Sequence, residues 1–245
     1  MMIQFMIVIL LGQFELTPVE LYNLGNDYFE QGKYSEAIAA YEQVIQKLPN
    51  ARVFYNLGNA YFKKGMHGKA ILNLRRAHFL APRDSDIRDN LAFVREYRVD
   101  KISSEPSPVV KVISDLLHFF SHLESKMLTA LLFLVAGLLL SFFIIFRRNV
   151  LGYAVIFIAV FCIFFFISWR VWAAERDSRA AVVVVPEASA MSGPGVEYKE
   201  IIMIHDGAEV KVRERRGDYV LVQLPGGIGG WIPAGAVEHV FGERT

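Results

Sequence analysis

The chain has 245 residues, of which 53% are hydrophobic and 21% are charged, and it contains one cysteine. This composition excludes a disordered polyelectrolyte and a disulfide-stabilised secreted module. Because 26 Lys and Arg residues balance 25 Asp and Glu residues, no net field attracts nucleic acid, and we expect no nucleic-acid partner.

Residues 1–16 begin with an apolar stretch, MMIQFMIVILL, which is too short to span a bilayer and has the length of a signal-peptide core. No Lys or Arg precedes this stretch, and no small-x-small cleavage site occurs before Thr17. Three interpretations stay open: a degenerate signal, a start that lies further upstream, and a short anchor. We expect export of the N-terminal domain, with a cytoplasmic placement of both soluble parts as the alternative.

An internal repeat extends over 18–83, and its two copies are related by a constant offset. The repeated order is large-x2-Leu-Gly-x2-Tyr, then Ala-x3-aromatic or apolar, then Pro. Its members are Leu21, Leu24, Gly25, Tyr28, Ala37, Tyr41 and Pro49, followed by Phe54, Leu57, Gly58, Tyr61, Ala70, Leu74 and Pro82. This order resembles the tetratricopeptide repeat, which implies helical hairpins at 18–50 and 51–83. Asn90-Leu91-Ala92 resembles Asn56-Leu57-Gly58 one period later and indicates a capping helix, so the predicted all-α solenoid extends over 18–100.

The resemblance to tetratricopeptide proteins also implies a binding site, because the first helix of each hairpin in those proteins lines a concave groove for extended peptides. The implied groove residues are Tyr22, Asn23, Asn26, Phe29, Tyr55, Asn56, Asn59 and Phe62. Asparagine amides offer a donor and an acceptor to a peptide backbone or a terminal carboxylate. The alternative is that these asparagines only bridge adjacent helices. A carboxylate clamp is disfavoured, because Tyr22 stands where clamp proteins carry a lysine, and the capping helix offers Asp86 and Asn90 instead of cations.

A Ser/Pro break at 103–108 precedes a segment, 107–126, whose pattern is typical of an amphipathic helix lying in a membrane interface. His118 and His122 in this segment have the i, i+4 spacing of a metal pair. No third ligand accompanies them, and we expect a solvated polar face without a metal.

Two apolar runs without a charged residue follow at 128–146 and 150–169. About 20 apolar residues span the hydrocarbon layer of a bilayer, and the short connection between the runs allows only a tight turn. We therefore predict a two-span transmembrane hairpin with both soluble domains on one side. Arg147 and Arg148 favour a cytoplasmic turn, which places those domains outside the cytoplasm at a bacterial inner membrane. Neither run contains an Asp, Glu, Lys, Arg or His, which argues against an ion path, a proton relay or a transport site.

Residues 177–241 change to period-two alternation with glycine-rich turns, which is typical of short β-strands. The landmarks, in order, are Ser192-Gly193-Pro194, 205–210 (HDGAEV), 217–222 (GDYVLV) and Gly230-Trp231-Ile232. This order resembles the bacterial SH3 (SH3b) domain and implies a small all-β barrel that binds cell-wall peptide or a neighbouring domain. We expect Trp231 to cover the barrel instead of forming a ligand platform.

The order of repeats, two-span hairpin and SH3b domain resembles the BatE-type proteins of the Bat (aerotolerance operon) family. The resemblance implies a multi-domain membrane protein that assembles with von Willebrand factor A-type Bat membrane proteins and a MoxR-type ATPase in an envelope complex linked to stress tolerance. The sequence contains no Gly-x-Ser-x-Gly, phosphate-binding loop or His-Glu-x-x-His motif. We therefore expect a non-enzymatic scaffold without cofactors. Two alternatives stay open: a peptidoglycan-binding anchor that acts through the SH3b domain, and a cytoplasm-facing scaffold.

Overall fold

The computed structural model describes residues 16–100 and 107–242. The helices in this part are α1 (Pro18–Glu30), α2 (Tyr34–Lys47), α3 (Ala51–Lys63), α4 (His67–Leu80), α5 (Ser85–Arg95), α6 (Pro108–Leu117), α7 (His122–Phe146) and α8 (Asn149–Asp177). The strands are β1 (Ala180–Val183), β2 (Glu187–Met191), β3 (Glu200–His205), β4 (Glu209–Arg216), β5 (Tyr219–Gln223), β6 (Gly229–Pro233) and β7 (Val237–His239). The signal-like segment predicted at 1–16 lies outside the described residues except for Leu16.

Helices α1 to α5 form the repeat unit, which consists of two helical hairpins and a capping helix. The turns within the hairpins contain Gly32 and Gly65, whose φ angles of 74° and 78° favour glycine. Gly25 allows α1 to approach α2 closely, because a Cβ atom at this position would lie 2.5 Å from the Tyr41 ring. The second copy repeats this contact, since a Cβ atom on Gly58 would lie 2.8 Å from the Leu74 side chain. The repeated small residues therefore set the spacing within each hairpin.

The segment 107–126 is not the single amphipathic helix that its pattern predicts. Helix α6 ends at Leu117, and α7 begins at His122. Ser121 caps α7, because its hydroxyl accepts a hydrogen bond from the Glu124 backbone N–H while the Glu124 carboxylate accepts one from the Ser121 N–H. This reciprocal capping box starts a new helix at the position where the periodicity suggested continuity.

Helices α7 and α8 pack against each other as an antiparallel pair, the apolar hairpin, and both are long and apolar enough to cross a membrane. Arg147 ends α7 in the left-handed conformation and begins the short turn into α8. In the most apolar 18-residue stretch of α7, 0% of the residues are buried inside the described structure, and in that of α8 the share is 6%. A core helix of a soluble protein would be mostly buried, so this exposure sets the hairpin apart from core helices.

Strands β1 to β7 form the β unit, an antiparallel sheet with the order β3-β2-β6-β5-β4-β1-β7. The predicted all-β character of this region is confirmed. Every second residue of the central strands points into a shared core, as shown by buried Val210 and Val212 on β4 and buried Val220 and Val222 on β5. The register between β4 and β5 shifts after Val212, which is typical of a β-bulge.

The β unit packs against α4, the second helix of the second repeat. Three arginines of the repeat unit surround Glu209 of β4, and we call this set the Glu209 cluster. Its ion pairs are Arg95 Nε to Glu209 Oε1 at 2.8 Å, Arg98 Nη1 to Oε1 at 2.9 Å, and Arg75 Nη1 to Oε2 at 3.1 Å. Burial by itself would raise the pKa of Glu209, but the guanidinium groups outweigh that effect and lower the pKa.

The repeat unit also contacts the base of the apolar hairpin. Phe79 of α4 packs edge to face against the Trp172 ring of α8, with ring centroids 5.0 Å apart. The Trp172 indole in turn donates a hydrogen bond of 2.7 Å to the Phe120 carbonyl, in the break between α6 and α7. Arg83, in the loop before α5, pairs with Glu124 at 2.6 Å. The repeat unit is thus held at the same end of the hairpin as the β unit.

Candidate functional site

The groove residues predicted from the repeats lie on α1 and α3, the first helices of the two hairpins. A cavity of about 270 Å³ brings Asn26, Phe29, Asn56 and Asn59 of the predicted set together with Glu30 and Tyr41. Tyr22, Tyr55 and Phe62 are partly buried beside these helices, and Asn23 is exposed. Since the β unit packs against α4, the first-helix face that holds this cavity remains free of it.

The groove asparagines form hydrogen bonds between successive first helices. The Asn56 amide nitrogen donates to the Tyr22 hydroxyl and to Asn26 Oδ1, each at 3.0 Å. The Asn90 amide nitrogen repeats this arrangement one hairpin later, donating to the Tyr55 hydroxyl at 2.8 Å and to Asn59 Oδ1 at 3.2 Å. We call these four bonds the amide ladder. They occupy the donors of Asn56 and Asn90, so the bridging role considered as an alternative is present in the structure.

Tyr41 of α2 adds a hydrogen bond to the first rung of the amide ladder, which is the pair of bonds made by Asn56; the second rung is the pair made by Asn90. Its hydroxyl donates a hydrogen bond of 2.8 Å to Asn26 Oδ1. Burial raises the pKa of Tyr41 to about 12, against a weaker opposing effect of the Asn56 side chain, and so favours the protonated, donating phenol even more than in an ordinary tyrosine. Asn26 and Asn59 take part in the ladder only as acceptors, through Oδ1. No described residue accepts a hydrogen bond from their amide N–H groups, which can therefore donate to the carbonyl groups of a bound peptide.

An aromatic cluster continues the groove toward the capping helix. Phe62, Phe93 and Tyr97 contact one another edge to face, with ring centroids 5.0–5.5 Å apart. Phe93 is 51% exposed and Tyr97 is 49% exposed, so the cluster presents ring surface to solvent. We call these three residues the aromatic shelf. Exposed aromatic rings beside hydrogen-bonding groups are typical of protein-binding surfaces.

The sequence prediction missed Phe93 and Tyr97. The sequence did contain a signal for Phe93. Phe93 follows Asn59 by the same number of residues as Asn90 follows Asn56, so it occupies the equivalent position on the capping helix. Tyr97 had no equivalent signal, since it lies beyond the last helical turn of α5.

The charges around the groove differ from those of a carboxylate-binding site. Among the described residues that line the cavity, Glu30 is the one with a charge, and none is a Lys or Arg. Asp86 is exposed in the first turn of α5, and Asn90 takes part in the amide ladder. The groove therefore suits uncharged backbone and apolar groups better than a terminal carboxylate.

Two other predicted features lie in the β unit and the connector. Trp231 is buried in β6, with the Arg216 guanidinium 5.2 Å above its ring, so it has little surface for a ligand. His118 and His122 do not come together, because His118 pairs with Glu175 at 3.5 Å while His122 stacks on Phe79. Within residues 16–100 and 107–242 no group of acidic, His or Cys side chains is arranged to hold a metal ion.

Comparison with protein families supports the repeats directly. A model described as "TPR repeat" matches residues 25–65, and one described as "Tetratricopeptide repeat" matches residues 51–81. Residues 25–81 are tetratricopeptide repeats. Such repeats build concave surfaces that bind other proteins, so a protein partner is indicated in general terms. No curated protein matches the chain.

Proposed function

We propose that this protein is a non-enzymatic, membrane-anchored scaffold whose repeat groove binds an extended segment of a partner protein. The observation that carries the proposal is the groove itself, in which the amides of Asn26 and Asn59, held through their Oδ1 atoms, lie in one cavity next to the aromatic shelf. Amide N–H groups pair with peptide carbonyls, and exposed rings accept an apolar side chain.

The anchoring part of the proposal is supported by the apolar hairpin. Its two helices contain 25 and 29 residues, and their apolar windows are almost entirely uncovered by the rest of the described structure. A surface of this kind is stable in lipid, where the helical backbone satisfies its own hydrogen bonds. In our proposal both soluble units lie on the outer side of a bacterial inner membrane, with Arg147 and Arg148 at the cytoplasmic turn.

The proposed partners are those of a Bat-type envelope complex, namely von Willebrand factor A-type membrane proteins and a MoxR-type ATPase, in a role linked to aerotolerance. The support is the order of the parts, with repeats before the hairpin and an antiparallel β unit after it. The β unit is proposed to be an SH3b-type domain, because the GDYVLV landmark at 217–222 forms the β4–β5 turn and strand β5.

A second function, binding of cell-wall peptide by the β unit, is favoured by one observation. An open, largely apolar cleft of about 430 Å³ is lined by Tyr219, Met191, Val196 and Pro233, among others. Pull-down of peptidoglycan by the full chain in detergent, and its loss in Tyr219→Ser, would support this second function.

The central experiment is co-purification from mild detergent, with mass-spectrometric identification of the bound proteins. The test variant carries Phe93→Ala and Tyr97→Ala, which remove the exposed rings and leave the amide ladder in place. The control is Leu48→Ala, an exposed apolar residue at the end of α2. We expect the double variant to lose partners that the wild type and the control retain. Partner recovery equal to that of the control would contradict the groove proposal.

Topology reporters at both chain ends test the placement of the soluble units. Cytoplasmic signals from both ends would contradict the outer-side placement and favour the cytoplasm-facing alternative, while leaving the groove proposal intact. Detectable hydrolytic activity of the purified complex that depends on this chain alone would contradict the non-enzymatic assignment.

A further inference from the structure

A second cleft lies where the β unit meets the end of the apolar hairpin. It encloses about 780 Å³ and is open to solvent. The last turns of α8, with Val171 and Ala174, and Ser178 just after them form one wall. The first part of β4, with Lys211 and Arg213, and the end of β5 at Gln223 form the other. The loop 225–227 borders the cleft, and its glycines Gly226 and Gly227, with φ angles of 94° and 92°, carry no side chain that could cover it.

The cleft has an excess of positive charge once its ion pairs are taken into account. Glu209 is neutralised by the Glu209 cluster, and Glu175 pairs with Arg75 at 3.3 Å and with a histidine. Lys211 forms no ion pair with any other residue that the structure describes, and it is exposed. Arg213 donates hydrogen bonds of 2.7 and 2.5 Å to the side-chain carbonyl of Gln223, which is neutral. Among the residues that the structure describes, Lys211 and Arg213 therefore line the cleft without a carboxylate paired to them.

The distance of the cleft from the apolar part of α8 follows from the sequence. The charge-free run ends at Trp169, and Val171 and Ala174 follow it by two and five residues. At 1.5 Å per residue these positions lie roughly 3 Å and 8 Å beyond the apolar run. The headgroup layer is about 5–8 Å thick on each side of the hydrocarbon core. If α8 spans the membrane as proposed, the α8 wall of the cleft lies at the level of the lipid phosphates.

We propose that this cleft binds the phosphate group of an anionic phospholipid, with Lys211 and Arg213 as its cationic contacts and Val171 and Ala174 as its apolar wall. The inference rests on the proposed membrane anchoring. A lipid matches the site better than a diffusible phosphate, because the apolar wall continues directly into the exposed apolar surface of α8, which is long enough to cross a membrane. Basic residues next to a bilayer attract anionic lipids.

The test is native mass spectrometry of the full chain, taken from nanodiscs that contain equal amounts of phosphatidylglycerol and phosphatidylcholine. The wild type is expected to retain phosphatidylglycerol selectively. Lys211→Gln combined with Arg213→Gln should weaken this retention about 30-fold, which corresponds to two charges at roughly 1 kcal/mol each. The charge-preserving pair Lys211→Arg with Arg213→Lys should restore it.

The matched control is Lys63→Gln with Lys64→Gln, which removes two exposed charges at the far turn of the second repeat. Its lipid retention should equal that of the wild type. Equal retention of both lipids by the wild type, or equal retention by the two double glutamine variants, would overturn the inference. So would displacement of the lipid by glycerol phosphate at equal concentration, because the ligand would then be diffusible.

Carbonate extraction separates this inference from the proposed function. A chain that stays in the membrane but shows no lipid preference contradicts the cleft assignment alone. A chain that carbonate releases from the membrane contradicts the anchoring, and the lipid site with it.

Discussion

Arg95 and Glu209 form a bidentate ion pair, with Nε–Oε1 and Nη2–Oε2 distances of 2.8 and 2.9 Å. The two residues are 114 positions apart in the chain, and the apolar hairpin lies between them. The pair therefore closes a ring that runs from the capping helix through the hairpin to the β unit and back. This closure holds the first-helix face of the repeats in a fixed direction relative to the hairpin, so the groove is presented to a partner in one orientation.

The first prediction concerns the charge at the centre of the Glu209 cluster. Glu209→Gln keeps the shape of the side chain, which is 16% exposed, and leaves three arginines without their shared counter-ion. Removing one partner of a buried ion pair costs about 3–5 kcal/mol. We expect the β unit to detach more readily from the repeat unit, measured as faster limited proteolysis between the two units in detergent.

The control for this prediction is Glu214→Gln on the same strand. Glu214 pairs with Arg216 at the surface, where the two side chains are 44% and 61% exposed. An exposed pair contributes about 0–1 kcal/mol, so proteolysis should stay at the wild-type rate. If the two variants are cleaved equally fast, Glu209 does not hold the units together.

The second prediction is a pH dependence with a defined sign. The folded-state pKa of Glu209 lies below its usual value of 4.5, so the folded protein keeps the carboxylate charged where the unfolded chain binds a proton. The stabilisation is complete above pH 4.5 and is lost as the pH falls through the lowered pKa. The difference in unfolding temperature between wild type and Glu209→Gln should therefore shrink below pH 4.5. A difference that stays constant from pH 7 to pH 3 would contradict the assignment.

The third prediction compares the effect on stability of removing Asn90, which takes part in the amide ladder, with that of removing Asn23, which is exposed. Asn90→Ala removes both bonds of the second rung and leaves partly buried acceptors on Tyr55 and Asn59, at a cost of about 1–3 kcal/mol. Asn23→Ala, at an exposed position whose side chain bonds to no other described residue, should change stability by less than about 0.5 kcal/mol. Hydrogen exchange should show lost protection in α5 for Asn90→Ala alone. Equal effects of both changes would contradict the amide ladder.

The amide ladder could be predicted from the sequence only in part. The constant offset between the two copies identified both hairpins, and family models match the repeats at 25–81. The same alignment selected Asn26, Asn56 and Asn59, which the structure brings into one cavity. It left open whether these amides face a ligand or each other, because the choice depends on side-chain geometry between neighbouring hairpins.

Contacts between distant segments were beyond the reach of local patterns. Glu209 is one of 25 acidic residues, and no periodicity distinguishes it from Glu214 on the same strand. Its importance comes from three arginines, on α4 and at or just after the end of α5, which only the folded chain brings together. The break before α7 was different, since Ser121 and Glu124 have the spacing of a capping box and could have been recognised.

The fourth prediction uses a glycine whose role is visible only in the folded chain. Gly68 lies in the first turn of α4, where a Cβ atom would overlap with the Val183 carbonyl oxygen and with Asp206 Oδ1. In an isolated helix, Gly→Ala stabilises by roughly 0.5–1 kcal/mol, because alanine loses less backbone entropy. Here the methyl group meets a strand backbone that cannot move aside, and overpacking of this kind costs about 1–3 kcal/mol.

The opposite signs of these two effects make Gly68→Ala a direct test of the contact between the repeat unit and the β unit. We expect a lower unfolding temperature and faster proteolytic separation of the units than in the wild type. Gly235→Ala is the matched control, because a Cβ atom there meets nothing within 4 Å. A stabilising effect of Gly68→Ala would mean that α4 behaves as a free helix and that the β unit is not seated on it.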